Sequence, residues 1–335
     1  MTYPLKNKRI LFIAPSFHGL HNKIYDQMLL MGAEVDYFDE RPSNSFFYKV
    51  VLRLRLRSLV SNHLKNYYRE IVSLTKHKIY NYIFVINIEA IDQDIFRLIK
   101  DHNKDSKTIL YMWDSLEIKP ISKDLLRMFD KVYTFDPRDA KSREITMLDL
   151  FYSKEYKVVS RKSFNYDLCF IGTIHGDRYK LLREIKRKAE KMNLKVYFYF
   201  FMPSKTLFFL RKFFDKRFKG IRLDEVNFKS LDAKNVANIM GQSNAIIDLS
   251  YKDQCGLSMR TFEVLGVGRK LITTNNCIRK YDFFNSQNIL ILKKERIQID
   301  KDFIENQYCE LNKEIHKKYS LESWVKNIFL ESNFK

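Results

Sequence analysis

Residues 256–275 read GLSMRTFEVLGVGRKLITTN, and this stretch decides the fold that we expect for the chain. Its residue types predict a loop, a short helix, a glycine that ends the helix and a buried strand. A helix start presents free backbone N–H groups and the positive end of the helix dipole, so it suits a phosphate group. An ordinary capped helix, with Ser258 as N-cap and Glu263 in solvent, explains the same spacing equally well.

Side chains around this helix start form a candidate donor site. Arg260 could offer a bidentate fork to a diphosphate, because a guanidinium matches the geometry of phosphate oxygens. Glu263 only accepts hydrogen bonds at neutral pH, so it could hold two sugar hydroxyls. The remaining candidates at this helix start are Gln254, Gly256, Ser258 and Thr261.

The size and charge of the chain limit the classes of protein that it can be. Its 335 residues are enough for two domains, and a hydrophobic content of 45% is enough for a buried core. The formal net charge is +20. Such a charge predicts an anionic partner, which could be nucleic acid, an acidic membrane surface or a phosphorylated substrate.

The four cysteines predict reduced thiols. Cys169, Cys255, Cys277 and Cys309 are widely spaced and form no CxxC pair, so neither a disulfide framework nor a zinc site is expected. The N-terminus shows no signal peptide, and no apolar run approaches the roughly 20 residues that a membrane-spanning helix needs. We therefore expect a cytoplasmic protein.

Short apolar runs alternate with helical patterns along the chain, which predicts an α/β fold with two domains. The run RILFIA at residues 9–14 suits a central parallel strand, and a helical pattern and a second strand follow it, as in a doubly wound sheet. The run YDLCFIG at 166–172 opens a second unit of the same kind. We expect domains at residues 1–150 and 151–318, and a C-terminal helix in 319–335 that packs back on the first domain.

Loops that follow the first strand of each predicted domain are candidate ligand sites, because ligands bind at the carboxyl ends of the strands in open α/β sheets. The first of these loops carries His18 and lacks a GxGxxG pattern, so a dinucleotide is disfavoured. The second carries Gly172 and Thr173, and Arg178 follows at the next helix start. Thr173 and Arg178 could contact phosphate, or Arg178 could simply pair with an acidic neighbour at the surface.

Three further predicted strands of the first domain end in a carboxylate, at Glu89, Asp114 and Asp136. A carboxylate at this edge of the sheet could act as the general base for an acceptor hydroxyl. Acidic residues also commonly cap the helix that follows a strand, and for any one of the three a cap is the better explanation.

Two basic segments could contact an anionic surface. Residues 41–69 contain seven basic residues and no acidic one, with Arg53, Arg55 and Arg57 alternating with leucines. Residues 203–220 read PSKTLFFLRKFFDKRFKG and predict one amphipathic helix with a basic face. Its apolar face is expected to contain Leu207, Leu210, Phe214 and Phe218, with Phe209 and Phe213 beside it and the basic residues mostly opposite. For 41–69, an anionic surface and a solvated basic face explain the pattern equally well. For 203–220, the density of Phe and of charge slightly favours a membrane over an ordinary packed face.

The stretch 258–275 resembles the donor-site segment of GT-B glycosyltransferases that build bacterial surface polysaccharides, including the spore-coat CgeB-like group. Three further segments are similar to parts of the same enzymes, at 111–115, 129–136 and 166–173. The resemblance implies two doubly wound Rossmann-like domains that face each other across a cleft. It also implies that Glu263 binds the nucleotide ribose and that Arg260 reaches the diphosphate.

The layout is similar, more distantly, to that of phage DNA β-glucosyltransferase, whose catalytic Asp ends a first-domain strand as Asp114 does here. This similarity implies that Asp114 deprotonates the acceptor hydroxyl for an inverting attack at the anomeric carbon. In a retaining enzyme, Asp114 would only orient the acceptor. His18, Glu89 and Asp136 are then the candidate acceptor-binding residues.

The resemblance implies a nucleotide-sugar co-substrate and neither a metal nor another cofactor. A GT-B donor site neutralises the diphosphate with a helix dipole and basic side chains. Asp92 and Asp94 have the DxD spacing of metal-dependent transferases, but they stand at the start of a predicted helix, so we expect a cap there.

The implied activity is sugar transfer to a lipid-linked or glycan acceptor for lipopolysaccharide, O-antigen or capsule, at the inner face of the plasma membrane. Two alternatives remain, a nucleic-acid-modifying glycosyltransferase and a non-catalytic, membrane-associated nucleotide-binding protein. The Phe-rich basic segment at 203–220 favours a membrane, because the base edges in DNA grooves are bound by Arg and Asn more than by Phe. We therefore expect no nucleic-acid partner.

Overall fold

The chain forms two compact units in the computed structural model, which describes residues 3–43, 45, 48, 51–52, 56–157, 164–174, 176–250, 254–293 and 296–330. One unit contains the chain up to Leu150 and the segment that begins at Leu321, and the other contains Phe151–Ser320. Each unit holds one six-stranded parallel sheet with helices between its strands, which confirms the predicted α/β fold. No helix among the described residues combines the length and the apolar character needed to cross a bilayer.

The first unit is a doubly wound sheet. Its strands are β1 (Arg9–Ala14), β2 (Glu34–Asp39), β3 (Tyr82–Ile86), β4 (Lys107–Met112), β5 (Lys131–Thr134) and β6 (Thr146–Met147). Its helices between strands are α1 (Leu20–Leu30), α2 (Ser61–Thr75), α3 (Gln93–Asp101), α4 (Lys123–Arg127) and α5 (Pro137–Arg143). The strand order is β2-β1-β3-β4-β5-β6, and the central strands β1 and β3 are buried, as their continuous apolar runs predict.

The second unit repeats this architecture. Its strands are β7 (Tyr166–Thr173), β8 (Val196–Phe201), β9 (Val226–Asn227), β10 (Ser243–Asp248), β11 (Lys270–Thr273) and β12 (Ile289–Ile291). Its helices are α6 (Gly176–Lys191), α7 (Lys205–Phe214), α8 (Ala233–Gly241), α9 (Met259–Val267), α10 (Lys301–Glu305) and α11 (Lys313–Lys318). The strand order is β12-β11-β10-β7-β8-β9.

Each sheet changes its winding direction beside its first strand. In the first unit the change lies between β1 and β3, and in the second it lies between β7 and β10; both pairs are parallel. The connections on the two sides of such a point run to opposite faces of the sheet, which leaves a crevice at the carboxyl ends of the strands. The two candidate sites lie along these carboxyl edges.

The last helix, α12 (Leu321–Phe329), belongs to the first unit. Trp324 is buried, with its ring centroid 4.8 Å from that of Tyr111 and 6.1 Å from that of Phe84. The ring of Phe329 lies 5.3 Å from the same Phe84 ring. Because Phe84 and Tyr111 belong to β3 and β4, the end of the chain completes the core around this sheet.

The segment at 203–220 is not the single amphipathic helix that its sequence predicts. Helix α7 ends at Phe214, because Asp215 is extended and its carboxylate caps a separate 3₁₀ turn by accepting the N–H of Arg217 at 3.0 Å. The expected apolar face is present only in part. Phe218 is buried, whereas Leu210 and Phe214 are exposed.

In the basic segment at 41–69, one cation that its composition places at the surface, Arg41, does not lie there. Arg41 is buried and lies in an ion pair with Glu89. Three apolar side chains of the segment, Tyr48, Val51 and Leu52, belong to the core of the first unit. The alternating residues Arg53 and Arg55 lie outside the described residues, as does the side chain of Arg57.

Candidate functional site

Asp248, the last residue of β10, anchors the start of α9. Ser258 is the N-cap of this helix, with its Oγ 3.4 Å from the backbone N of Thr261. The hydroxyls of Ser258 and Thr261 both donate to Asp248 Oδ2, at 2.5 Å and 2.8 Å. The cap that the sequence allowed is therefore present. It fixes the first turn of a nine-residue helix at the carboxyl edge of the sheet, where a phosphate would be bound.

Arg260 and Glu263 form an ion pair along α9, with Arg260 Nη1 2.6 Å from Glu263 Oε2 and 23% and 16% of their side chains exposed. Arg260 Nη2 also donates to the carbonyl oxygen of Ile171 in β7, at 3.3 Å. The buried hydroxyl of Tyr156 is hydrogen-bonded to Glu263; burial, reinforced by this carboxylate, raises the pKa of Tyr156. Glu263 is thus held in one orientation by two side chains, and Arg260 ties α9 to the neighbouring strand.

Gly266 allows α9 to pack directly against the segment that carries Tyr156. A Cβ atom on Gly266 would lie 2.7 Å from the carbonyl oxygen of Tyr156 and 2.7 Å from Cγ of Tyr152, so a larger residue would push the two segments apart. Gly268 then ends the helix in the left-handed conformation, with φ of 63°, as the sequence predicts.

The loop before α9 is tied to the loop that follows β11. Asn275 Nδ2 donates to the carbonyl oxygens of Cys255 and Gly256, at 3.2 Å and 3.4 Å. Gln254 Nε2 also donates to the Gly256 carbonyl, at 3.1 Å. A disulfide joins Cys255 to Cys277. The predicted donor residues Gln254 and Gly256 therefore lie in a cross-linked frame beside the helix start.

This disulfide corrects the prediction of four reduced thiols. Cys255 and Cys277 are 22 residues apart, a spacing that matches no motif in the sequence. They meet because β10 and β11 are parallel neighbours, so the loops that leave their carboxyl ends lie side by side. Cys169 is a free, buried thiol and Cys309 is a free, partly exposed one.

Replacing both Cys255 and Cys277 with serine should lower the free energy of unfolding of the second unit by about 3 kcal/mol, because the unfolded chain regains the entropy of an open loop. Urea unfolding with and without dithiothreitol measures this. We expect the reductant to lower the midpoint of the wild-type protein to that of the variant and to leave the variant unchanged. If dithiothreitol leaves the urea midpoint of the wild-type protein unchanged, the disulfide does not stabilise the fold.

The remaining predicted donor residues lie at the carboxyl end of β7 and at the start of α6. Gly172 and Thr173 are the last two residues of β7 and pair with β8. Since β7 is also the parallel neighbour of β10, Thr173 and Asp248 end strands on the same edge. Arg178 lies in the first turn of α6 and is partly exposed.

In the first unit, Lys119 bridges two of the predicted carboxylates. Its Nζ lies 2.8 Å from Asp114 Oδ2 and also pairs with Glu89. Asn87 Nδ2 donates to the same Asp114 oxygen at 2.9 Å, and Arg41 Nη1 lies 3.4 Å from Glu89 Oε2. We call these five residues the Asp114 network. Asn87 and Glu89 follow β3, and Asp114 follows β4. Because β3 and β4 are parallel neighbours, these three side chains meet at one edge of the sheet.

A cavity of about 500 Å³ adjoins the Asp114 network. The polar residues of its wall are Glu89, Asp92, Gln93, Asp94 and Ser122. The apolar residues of its wall are Ile88, Ile91, Pro120, Ile121 and Leu125. A cavity with convergent oxygen and amide groups over an apolar wall suits a hydroxyl-rich ligand. Glu89 belongs to both the cavity and the network, so it links the space for a ligand to Asp114.

Glu40 holds the loop after β3 in place through hydrogen bonds to the backbone. Its Oε1 accepts the backbone N–H groups of Glu89, Ala90 and Ile91, with N–O distances of 2.8 Å to Glu89 and 3.1 Å to Ile91. Its other oxygen, Oε2, is buried and has no hydrogen-bond partner among the described residues. Burial raises the pKa of Glu40 to about 7, even though the three N–H groups favour the ionised form.

Stability should fall as pH rises because of Glu40. Its carboxyl binds a proton more tightly in the folded chain than in the unfolded chain, where the pKa is near 4.5. The contribution to stability is therefore fully present below about pH 4.5 and is lost by about pH 7, with a size of about 3 kcal/mol. Urea unfolding between pH 4.5 and 7.5 should show this slope in the wild-type protein and a flatter slope in Glu40→Gln. Equal slopes would contradict the raised pKa.

The structure gives Asp136 a capping role. Asp136 is 3% exposed, and its carboxylate accepts the backbone N–H of Arg138 at 2.8 Å. Helix capping, the alternative to acceptor binding, therefore accounts for this residue without a ligand. Asp92 caps α3 in the same way, with a backbone N–H at 2.9 Å, as predicted. His18 is exposed in the loop after β1, in the left-handed conformation with φ of 44°.

Sequence reasoning missed four residues that organise the two sites: Lys119, Tyr156, Asp248 and Asn275. Asp248 ends an apolar run, as Glu89 and Asp114 do, so the same pattern could have found it. Tyr156 carries no local signal, because its partner Glu263 lies more than one hundred residues away in the sequence. Asn275 and Lys119 contact segments that are distant in the sequence and become neighbours only when the sheets form.

Comparison with solved structures identifies the fold of the chain. No protein-family model matches the sequence, and no curated protein is significantly similar to it. The apo structure of a lipopolysaccharide outer core galactosyltransferase, WaaB, is 12% identical, with a TM-score of 0.52 over 96% of this chain and 99% of that one. A structure of HepE from Anabaena in complex with UDP and glucose is 11% identical, with a TM-score of 0.51 over 85% and 86%. The apo structure of OtsA is 9% identical, with a TM-score of 0.60 over 96% and 99%.

These likenesses extend over both units, and they show that the chain has the GT-B fold of two Rossmann-like units. The GT-B prediction is therefore confirmed at the level of the fold. At 9–12% identity, the likeness concerns the backbone and does not carry residue roles.

Proposed function

We propose that this chain, which has the GT-B fold, is a glycosyltransferase that moves a sugar from a nucleotide-sugar donor to a hydroxyl group. The observation that carries the proposal is the start of α9, which Asp248 anchors at the switch point of the second sheet with the Arg260–Glu263 pair beside it. A helix start, a guanidinium and an oriented carboxylate together match the diphosphate and the ribose of a nucleotide sugar. A protein of similar fold is solved with UDP and glucose.

In the proposed donor complex, Glu263 accepts hydrogen bonds from the ribose hydroxyls, while Tyr156 keeps its carboxylate in place. The first-turn N–H groups of α9 and the Arg260 guanidinium bind the diphosphate. The residues proposed to shape this site are Gly172, Thr173, Arg178, Gln254, Gly256, Ser258 and Thr261. A helix dipole and a guanidinium compensate the charge of the diphosphate, so we propose that transfer needs no metal ion.

In the proposed acceptor complex, a hydroxyl group reaches Asp114 from the adjoining cavity. Glu89 and the other polar residues of the cavity wall bind further hydroxyls, and His18 lies in the loop after β1 of the same unit. Asp114 then takes the proton as the hydroxyl oxygen bonds to the anomeric carbon, and the bond from that carbon to the diphosphate breaks to release the nucleoside diphosphate. Asp136 is left out of this site, because its carboxylate caps α5.

The proposed acceptor is a lipid-linked or glycan precursor of lipopolysaccharide, O-antigen or capsule, at the inner face of the plasma membrane. A net charge of +20 supports it, since both an anionic membrane and a pyrophosphate carrier attract such a protein. The similar fold of a lipopolysaccharide galactosyltransferase supports the same class of acceptor.

A thermal-shift screen over UDP-, GDP-, dTDP- and CMP-sugars tests the donor proposal. We expect one class to raise the melting temperature by several degrees, because a ligand at one hundred times its Kd adds about 2.7 kcal/mol to the stability. The shift should survive EDTA. Loss of the shift in EDTA, with recovery on adding Mg²⁺ or Mn²⁺, would contradict metal independence. The absence of a shift with every nucleotide sugar would contradict the donor site.

A further inference from the structure

Four large apolar side chains form one solvent-facing surface on α7. Phe209 and Leu210 are each 54% exposed, Phe213 is 81% exposed and Phe214 is 75% exposed. They are spaced as i, i+1, i+4 and i+5, so the helical period places them on one face. We call these four residues the α7 face. The opposite side of the helix carries Phe208, which is fully buried in the core of the second unit.

The basic side chains in the last turn of α7 pack toward the protein. Arg211 lies over the ring of Phe218, with 5.5 Å between its guanidinium carbon and the ring centroid. Lys212 Nζ lies 5.6 Å from the ring centroid of Phe208 and donates to the carbonyl oxygen of Ile221 at 3.0 Å. In the last turn of α7, two cations therefore face the protein while apolar side chains face solvent, which is the opposite of the usual pattern of a surface helix. The α7 face exposes Phe and Leu side chains, and the cations of the last turn point toward the protein. This arrangement indicates that an apolar partner covers the α7 face.

Exposed cations stand at both ends of the α7 face. Lys205 begins the helix, and Lys216, Arg217 and Lys219 follow its end; all four are exposed. The acidic residue of this segment, Asp215, forms an ion pair with Arg217 at 2.8 Å. The partner that covers the face should therefore combine an apolar interior with a negatively charged rim.

We propose that the α7 face inserts into the headgroup layer of an anionic lipid bilayer. Phe and Leu side chains enter the acyl boundary, while the flanking lysines stay at the level of the phosphates. A second copy of the chain fits less well, because four side chains fall far short of the roughly 20–30 residues a side of a stable protein interface. The inference rests on the proposed function, because the lipid-linked acceptor proposed there lies in that bilayer. It assigns the membrane contact to the second unit.

Vesicle flotation of the full chain tests this inference, using phosphatidylcholine vesicles with and without phosphatidylglycerol. We expect the wild-type protein to bind only the anionic vesicles. Phe213→Ser/Phe214→Ser should lower the fraction bound at least about tenfold, because two of the inserted rings are lost. A matched control is Leu74→Ser/Ile79→Ser, which removes two side chains of the first unit that are 63% and 83% exposed. This control should bind like the wild-type protein, and Phe213→Trp should show a blue-shifted emission on anionic vesicles.

Three outcomes would overturn the inference. The first is equal vesicle binding by the wild-type protein and Phe213→Ser/Phe214→Ser. The second is equal binding of the wild-type protein to neutral and anionic vesicles. The third is an oligomer, without vesicle binding, that Phe213→Ser/Phe214→Ser dissociates, since a second copy would then cover the face. The donor screen gives an independent readout, so vesicle binding without a nucleotide-sugar shift would reject the proposed function and leave the membrane contact in place.

Discussion

Replacing Glu263 with alanine should abolish binding of the nucleotide-sugar donor, with a rise in Kd of at least about a hundredfold. Two hydrogen bonds between ribose hydroxyls and a carboxylate contribute about 1.5–3 kcal/mol each, and both are lost. The variant also leaves Arg260 without its ion-pair partner. Isothermal titration with the donor found in the thermal-shift screen measures the effect.

Two further variants separate the binding role of Glu263 from its structural role. Tyr156→Phe keeps the carboxylate but removes the hydroxyl that orients it, so we expect a weaker rise in Kd. Glu190→Ala removes an exposed glutamate from the same unit and should leave Kd unchanged. If Glu263→Ala folds and binds the donor within twofold of the wild-type protein, Glu263 does not hold the ribose.

Replacing Asp114 with asparagine should abolish turnover while donor binding survives. A positioned general base contributes about 10²–10⁴-fold to the rate, so kcat should fall by that factor. Asparagine has nearly the same shape as aspartate, so the contacts with Asn87 and Lys119 need little rearrangement. Transfer of labelled sugar measures kcat, and titration of the donor measures the binding that should persist.

The Asp114→Asn variant also distinguishes the two stereochemical mechanisms. A base is needed for inverting attack, whereas a retaining enzyme would use Asp114 only to orient the acceptor. In the second case the variant would raise the acceptor KM and largely keep kcat. Asp124→Asn is a matched control in the same unit, because Asp124 is 74% exposed and pairs only loosely with Arg127 at 4.0 Å. Near wild-type transfer by Asp114→Asn, with an unchanged acceptor KM, would reject both roles.

Local patterns in the sequence were sufficient for the longer strands, the caps and the edge of the sheet that carries the sites, whereas the two-residue strands β6 and β9 were not predicted. The run RILFIA predicts β1 because a continuous apolar run of this length suits a strand buried on both faces. Asp92 caps its helix as predicted, and Ser258 forms the cap that the sequence left open, because an N-cap depends on residues only two or three positions away. The carboxylates at Glu89 and Asp114 were also expected at one edge, since parallel strands end together.

Contacts between distant segments could not be read from the sequence. The disulfide between Cys255 and Cys277 depends on the pairing of β10 with β11, and the role of Lys119 depends on the pairing of β3 with β4. Periodicity shows which residues share a face of α7, but it does not show which face turns toward the sheet. In the structure Arg211 lies over the ring of Phe218 and Lys212 over the ring of Phe208, so this side of α7 faces the protein and the opposite side faces solvent.

The return of α12 to the first unit has a consequence for folding during synthesis. The ribosome releases the second unit as one uninterrupted segment, so this unit can fold as soon as Ser320 has emerged. The sheet of the first unit is made earlier, but Phe84 and Tyr111 remain without Trp324 until α12 has left the ribosome. We therefore expect the unit that is synthesised first to be completed last. Until then, its uncovered aromatic surface is the part of the nascent chain that a chaperone would have to shield.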